Sequence, residues 1–190
     1  EFNVYNCLAA VCVGLKEGVP AELISSALKE VKGVPGRFEL VDEGQNFTVV
    51  VDYAHTPDGL ENVLKTARKI KRGRLITVFG CGGDRDQGKR PLMGRLSGEL
   101  SDYTVITSDN PRSEDPEKIV GQIVEGIKQC KTASYKVIAD RYEAIRHALH
   151  WAREGDFVLI AYNELGDSTI TETLPRRSLF ARKNPTLGEG

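Results

Sequence analysis

The start of the chain, up to about Val31, spaces its apolar residues three and four positions apart, as in a helix that buries one face. Two such runs are separated by Gly18 and Pro20, which are typical of a helix end and a helix start. The pattern predicts a helical hairpin, and the glycines and proline of Lys32 to Gly36 predict a hinge after it. The apolar positions are Val4, Leu8, Val11, Cys12 and Leu15, then Leu23, Ile24, Ala27, Leu28 and Val31.

Beyond the hinge, short apolar strands alternate with amphipathic helices. The predicted strands are Phe38 to Val41, Phe47 to Val51, Leu75 to Phe79, Tyr103 to Thr107, Tyr135 to Ile138 and Phe157 to Ala161. The predicted helices start at Pro57, about Pro91, Pro116 and after Asp140. Such alternation implies right-handed crossovers. It predicts an α/β fold: a Rossmann-like, mostly parallel sheet with helices on both faces, preceded by the helical hairpin.

Loops that follow parallel strands open on one edge of the sheet, where open α/β sheets bind small ligands. We therefore expect the loops at Gly80, Ser108 and Ala139 to be neighbours in space. After Ala161 the periodicity ends, and residues 162–190 are predicted to be a tail without regular structure.

Composition narrows the classes of function. A formal net charge of −1 gives no general attraction to nucleic acid or to an anionic membrane. No apolar run approaches the length of a membrane span, and no secretory signal is present. The cysteines form no C-x-x-C pair and no Cys/His cluster with zinc spacing, which favours free thiols and no metal site. The start at Glu1, directly in a helical pattern, predicts a piece of a longer protein.

The most informative turn is Ser108-Asp109-Asn110-Pro111-Arg112-Ser113-Glu114, between a predicted strand and a predicted helix. An arginine fork binds carboxylates in a bidentate way, and a neighbouring carboxylate can hold an ammonium group. A turn with both charges suits a zwitterion such as an amino acid. An exposed turn that caps the next helix explains the same residues equally well.

A second loop, Gly80-Cys81-Gly82-Gly83-Asp84-Arg85-Asp86, also joins a strand to a helix. Glycines let a backbone approach a ligand closely, and helix N-termini favour anions. Its spacing matches neither G-x-G-x-x-G nor G-x-x-x-x-G-K-[ST]. Lys89 and Arg90 add positive charge at the helix start, against the helix dipole, which suggests an anionic partner. A glycine turn with solvated charges is an equally weighted alternative.

A third segment, Asp52-Tyr53-Ala54-His55-Thr56-Pro57, could face a planar ligand. Tyr53 and His55 could stack on a base or hydrogen-bond to it, and Asp52 could bind a ribose, a metal's water shell or a cation. A helix cap over a packed aromatic ring is the alternative. Arg37, in the hinge, could bind a phosphate when domains close, although taken alone it is better explained by a surface ion pair.

Taken in order, these motifs resemble those of the Mur ligases. The matching segments are Phe2 to Ala10, Gly36 to Glu39, Asp52 to Pro57, Phe79 to Asp86, Lys89 to Met93 and Asp109 to Glu114. The resemblance runs from Phe2 to about Ala161, and so many ordered motifs make it specific. The Asp-Asn-Pro-Arg form is similar to that of Mur ligases that add meso-diaminopimelate, whose distal end is itself a zwitterion.

The resemblance implies an ATP-dependent, Mg²⁺-requiring ligase of peptidoglycan synthesis in the cytoplasm. It would activate UDP-N-acetylmuramoyl-dipeptide as an acyl phosphate, which the amino group of meso-diaminopimelate then attacks. It implies that residues 1–35 are the C-terminal end of a central ATPase domain, and that this central domain would bind most of the ATP and Mg²⁺. Residues 36–161 would form the domain that receives the amino acid. The implied ATP-binding residues are Arg37, Asp52, Tyr53, His55 and Pro57, and the implied amino-acid-binding residues are Arg85, Asp109, Asn110 and Arg112.

Two departures from the Mur ligase pattern limit these expectations. The sequence contains no Walker A phosphate loop, so we expect the isolated chain to be inactive. The family also has a Gly-Lys-Gly-His-Glu turn after its last strand, whereas this chain has Tyr162-Asn163-Glu164-Leu165-Gly166. The missing glutamate puts an intact amino-acid pocket in doubt.

Two other classes stay open. A dinucleotide-binding oxidoreductase could use the glycine loop, but the glycine spacing is wrong and no acidic residue ends the following strand. A non-catalytic amino-acid-binding module would share the same pocket. Folate-type polyglutamate ligases share the Mur ligase architecture but fit the Asp109 to Arg112 motif poorly.

Overall fold

The apolar runs form the predicted helices and strands in the computed structural model, which describes residues 2–31 and 33–162. The chain divides into two units, Glu1–Val34 and Pro35–Gly190. The first unit is the predicted helical hairpin, with α1 (Phe2–Lys16) and α2 (Ala21–Glu30). Its helices touch where the Ile24 side chain packs on Gly14. No residue of α2 is buried.

The second unit, called here the sheet unit, is built on six strands. They are β1 (Glu39–Val41), β2 (Thr48–Asp52), β3 (Leu75–Phe79), β4 (Tyr103–Ile106), β5 (Tyr135–Val137) and β6 (Phe157–Ala161). Their order across the sheet is β1-β2-β6-β3-β4-β5. Only β1 pairs antiparallel with its neighbour, and the other pairs are parallel. The prediction of a mostly parallel sheet is confirmed.

Helices cover both faces of this sheet, as predicted. They are α3 (Pro57–Ile70), α4 (Lys89–Leu100), α5 (Pro116–Ile127) and α6 (Arg141–Trp151). Because successive side chains of a strand point to opposite faces, Leu75 and Phe79 join the core under α3, α4 and α5. Ile76 and Val78 join a second core under α6. Thr56, Asp115 and Asp140 cap helix starts through their side chains.

The bounds of β1, β2, β4 and β5 differ from the predictions by one residue and the start of α4 differs by two, and two of these differences have a clear physical reason. Phe38 has φ of 50°, outside the strand region, so β1 starts one residue later. Helix α4 starts at Lys89 rather than near Pro91, because proline is tolerated within the first turn of a helix.

All four cysteines are free. Within residues 2–31 and 33–162, no helix has the length and apolar character needed to cross a membrane. The predicted tail beyond Tyr162 lies outside the described residues.

Candidate ligand-binding site

The loops expected to be neighbours do meet at one edge of the sheet. The N–H of Thr107 donates to the carbonyl of Phe79 at 3.0 Å, and the N–H of Ser108 donates to that of Ala139 at 3.2 Å. These bonds join the loops after β3, β4 and β5. The parallel topology therefore brings together segments that are far apart in the sequence.

The glycine loop (Gly80–Asp86) and the Ser108–Glu114 turn make direct backbone contact. The N–H of Gly83 donates to the carbonyl of Asn110 at 2.9 Å, and Arg112 Nη1 donates to the carbonyl of Gly83. A Cβ atom on Gly83 would lie 1.9 Å from the Pro111 carbonyl oxygen. Only glycine fits there, so this glycine serves packing between the two loops.

Two residues in these loops adopt a left-handed backbone that non-glycine residues avoid. Asp84 has φ of 52° and Arg112 has φ of 49°. Side-chain bonds hold them: Ser113 Oγ donates to Asp84 Oδ1 at 2.7 Å, and the N–H of Asp84 donates to Glu114 Oε1 at 2.6 Å. Such backbone conformations cluster at functional sites, so this contact is a site candidate.

The Arg90 side chain binds both the glycine loop and the Ser108–Glu114 turn. Its side chain is 0% exposed and forms an ion pair at 2.7 Å with Glu114, which is 15% exposed. Arg90 also donates to Gln122 Oε1 at 2.6 Å and to the Gly82 carbonyl at 3.2 Å. The sequence suggested an anionic partner for the positive charge at the start of α4. For Arg90 that partner is the internal carboxylate of Glu114.

Glu114 gives the fold an acid-sensitive contact. Hydrogen bonds from Arg90 and from the Asp84 N–H lower the pKa of Glu114 from 4.5 to about 2. A lowered pKa contributes stability that is present above the unfolded-state pKa and is lost as the pH falls through the folded-state pKa. We therefore expect the melting temperature to fall as the pH is lowered from 4.5 to about 2.

The Glu114→Gln variant should show a shallower fall of the melting temperature over this pH range. A fall as steep as that of the wild type would show that Glu114 is not the source of the acid sensitivity. Asp84, Asp102 and Asp156, whose pKa values are also lowered, contribute to the rest of the fall.

Asp109 and Arg141 face each other inside the edge of the sheet. Asp109 is 9% exposed, and its Oδ1 accepts from the Asn110 N–H at 2.8 Å. Its Oδ2 lies 3.9 Å from Arg141 Nη1, and Arg141 Nη2 donates to the Ala161 carbonyl at 3.1 Å. The sequence did not indicate Arg141. Its position at the start of α6, after the loop that follows β5, was the available signal.

An open groove of about 610 Å³ lies beside these loops, and we call it the rim groove. Its walls come from the β2–α3 connection, from the end of the glycine loop and from the start of α4. The lining residues are Tyr53, His55, Thr56, Pro57, Arg85, Asp86, Gly88, Lys89 and Leu92. The Tyr53 and His55 rings lie 4.4 Å apart, and Lys89 Nζ donates to the His55 carbonyl at 2.8 Å.

The structure divides the predicted ATP-binding residues into two groups. Tyr53, His55 and Pro57 line the rim groove. Arg37 lies over the Tyr53 ring, with its guanidinium carbon 4.8 Å from the ring centre. Asp52 accepts from the Phe38 N–H at 2.8 Å, and burial raises its pKa despite that bond. Neither Arg37 nor Asp52 is among the groove-lining residues.

The predicted amino-acid-binding residues are divided as well. Arg85 lines the rim groove together with Tyr53 and His55, whereas Asp109, Asn110 and Arg112 do not. Those three form the turn packed on the glycine loop. In the described part of the chain, no group of three or more His, Cys, Asp or Glu residues could hold a metal ion.

The fold is an open α/β domain with charged loops at the carboxyl ends of its parallel strands, the edge at which folds of this class bind ligands. The family model described as Mur ligase, glutamate ligase domain, matches residues 36–161. The chain belongs to this family.

Sequence relatives point to the same family. A UDP-N-acetylmuramoyl-L-alanyl-D-glutamate–2,6-diaminopimelate ligase from Syntrophomonas wolfei is 59% identical over 160 residues, which are 84% of this chain and 33% of that protein. One from Geobacillus kaustophilus is 54% identical over 176 residues, which are 90% of this chain and 36% of that protein. The chain thus spans about a third of the length of the curated relatives it matches.

Solved structures agree on the fold. A UDP-N-acetylmuramoyl-L-alanyl-D-glutamate–2,6-diaminopimelate ligase superposes with a TM-score of 0.63 at 41% identity, covering 85% of this chain and 33% of that one. The family match supports the resemblance to Mur ligases over the dinucleotide-binding oxidoreductase that the sequence left open.

Proposed function

We propose that this chain is the amino-acid-receiving part of a cytoplasmic, ATP-dependent ligase that adds meso-diaminopimelate to UDP-N-acetylmuramoyl-dipeptide in peptidoglycan synthesis. The observation that carries the proposal is the position of the Ser108–Glu114 turn. Arg112 of this turn has a left-handed backbone conformation, and its side chain donates a hydrogen bond to the glycine loop. The names and identities of the sequence relatives support the choice of amino acid.

In this proposal the chain's residues bind and orient the incoming amino acid. The bond from Arg112 Nη1 to the Gly83 carbonyl fixes the direction of a guanidinium whose five N–H donors can serve more than one acceptor. Arg112 would hold the distal carboxylate, and the buried Asp109 would hold the distal ammonium. Such positioning brings the free amino group to the acyl phosphate without a covalent nucleophile.

ATP and Mg²⁺ belong to the proposed reaction as substrate and activator. Tyr53 and His55 offer aromatic surface for a base at the rim groove. The described residues offer no cluster that fits a metal ion, so we assign no Mg²⁺ step to them.

The test compares meso-diaminopimelate with L-lysine, which lacks the distal carboxylate, in NMR titrations of the chain. We expect weak binding that favours meso-diaminopimelate, and we expect Arg112→Ala to weaken it about tenfold, since a charge-assisted hydrogen bond is lost. Arg95→Ala is the matched control, because Arg95 is 48% exposed on α4. Equal binding of the two ligands, or unchanged binding by Arg112→Ala, would contradict the proposal.

A further inference from the structure

Arg141 occupies a position that its own helix does not explain. It is the first residue of α6, where the helix dipole disfavours a cation. Its side chain is 15% exposed and reaches the ends of two strands. Nη2 donates to the carbonyl of Ala161, the last residue of β6, and Nη1 lies 3.9 Å from Oδ2 of Asp109, in the turn after β4. Tertiary contacts at the sheet edge therefore account for a cation at this helix start.

The carboxylate of Asp109 can accept a further hydrogen bond. Its Oδ1 accepts from the Asn110 N–H, whereas its Oδ2 is buried and accepts no hydrogen bond from any described residue. The 3.9 Å between Oδ2 and Arg141 Nη1 exceeds the length of a charge-assisted hydrogen bond, about 2.7–2.9 Å, so the two groups interact through their charges. A buried acceptor without a donor is unfavourable. Oδ2 is therefore the atom at which a ligand ammonium would improve the site.

Arg141 can support such a contact in two ways. A cation close to a buried carboxylate favours the ionised form, and an ionised carboxylate is the form that supplies a full counter-charge to an ammonium. The bond to the Ala161 carbonyl ties the guanidinium to the sheet, so the cation that faces Asp109 has a fixed position. Arg141 also repels an ammonium, but a buried carboxylate without a counter-ion would bind one less well, because it would be neutralised or displaced.

We propose that Arg141 is a positioning residue of the amino-acid site, which keeps the Asp109 carboxylate charged and oriented toward the distal ammonium of the incoming amino acid. The resemblance to Mur ligases gave Arg141 no role. The proposal deepens the proposed function and rests on it for the assignment of the distal ammonium to Asp109.

The experiment compares two ligands in NMR titrations of the chain. They are meso-diaminopimelate and 2-aminopimelate, which keeps both carboxylates but lacks the distal ammonium. We expect Arg141→Met to bind meso-diaminopimelate about tenfold more weakly than the wild type and to bind 2-aminopimelate nearly as well. Arg141→Lys, which keeps the charge, should bind meso-diaminopimelate more tightly than Arg141→Met does. An arginine with a purely structural role would affect both ligands equally, and that result would overturn the proposal.

The matched control is Arg146→Met, which removes a 32% exposed cation from the same helix together with its ion pair to Glu143. Its binding of meso-diaminopimelate should equal that of the wild type. A loss as large as that of Arg141→Met would mean that any positive charge on α6 matters, and the specific role of Arg141 would be wrong. Wild-type affinity in Arg141→Met would be equally decisive against it.

A second measurement needs no ligand. Urea unfolding of Arg141→Met, Asp109→Asn and the double variant tests whether the two charges interact. Because each single change leaves the other charge buried without its partner, the double variant should lose less of the urea midpoint than the two single losses added together. Additive losses would overturn this proposal alone. If the wild type did not bind meso-diaminopimelate, the proposed function would fail and this proposal with it, so the two failures are distinguishable.

Discussion

Replacing Arg90 by methionine is expected to destabilise the sheet unit by about 3 kcal/mol, because breaking a buried ion pair leaves its partner without a counter-ion. Methionine fills much of the volume of the arginine stem, so a cavity contributes little. The variant loses the ion pair with Glu114 and the bonds to Gln122 and to the Gly82 carbonyl. Urea unfolding, followed by circular dichroism, measures the change as a lower midpoint.

The pair itself is tested by removing both charges. The double variant Arg90→Met/Glu114→Leu should lose less stability than the two single variants together, since neither charge is then left without its partner. Arg95→Met, on the exposed side of the same helix, should change the midpoint little. An Arg90→Met midpoint equal to that of the wild type would show that the network contributes nothing to stability.

The strands and helices could be predicted because their apolar spacing is local information. Leu75 to Phe79, buried throughout, was recognisable as a strand covered on both faces. The order of the strands was not predictable in this way. Strand β6 lies between β2 and β3, with Phe157 paired with both Thr48 and Leu75, and these partners are far apart in the sequence. The position of β6 between β2 and β3 depends on packing between residues that are far apart in the sequence.

The site was predictable to the level of loops but not to that of side chains. Topology alone placed the loops at Gly80, Ser108 and Ala139 at one edge. The direction of each side chain depends on tertiary neighbours, so Arg85 was expected with the amino-acid-binding residues but lines the rim groove. The expected anion beside Arg90 is Glu114, an acid from a distant turn. Arg141 was not predicted as a site residue, because only the tertiary fold brings it close to Asp109.

The two loops of the site are extensions of two packed helices. The glycine loop runs into α4, and the Ser108–Glu114 turn runs into α5. At the crossing of these helices, a Cβ atom on Gly94 would lie 2.1 Å from the Ile123 carbonyl oxygen. The helices therefore touch backbone to backbone. A shift at this crossing would move the loops apart at the site.

Replacing Gly94 by alanine is accordingly expected to destabilise the sheet unit by about 2–3 kcal/mol, the cost of overpacking a tight contact. Alanine has the higher helix propensity, worth up to about 1 kcal/mol, so propensity alone predicts the opposite sign. Gly121→Ala provides the matched control on α5, because a Cβ atom there would meet nothing within 4 Å. That control should be neutral or stabilising.

Urea unfolding of the two alanine variants separates packing from propensity. If Gly94→Ala proved as stable as Gly121→Ala, backbone contact between α4 and α5 would not constrain the fold. Because the crossing also sets the distance between the glycine loop and the Ser108–Glu114 turn, Gly94→Ala should weaken ligand binding even under conditions where it stays folded. Gly121→Ala should not, since it leaves the crossing intact, and so the same pair of variants connects helix packing to the geometry of the site.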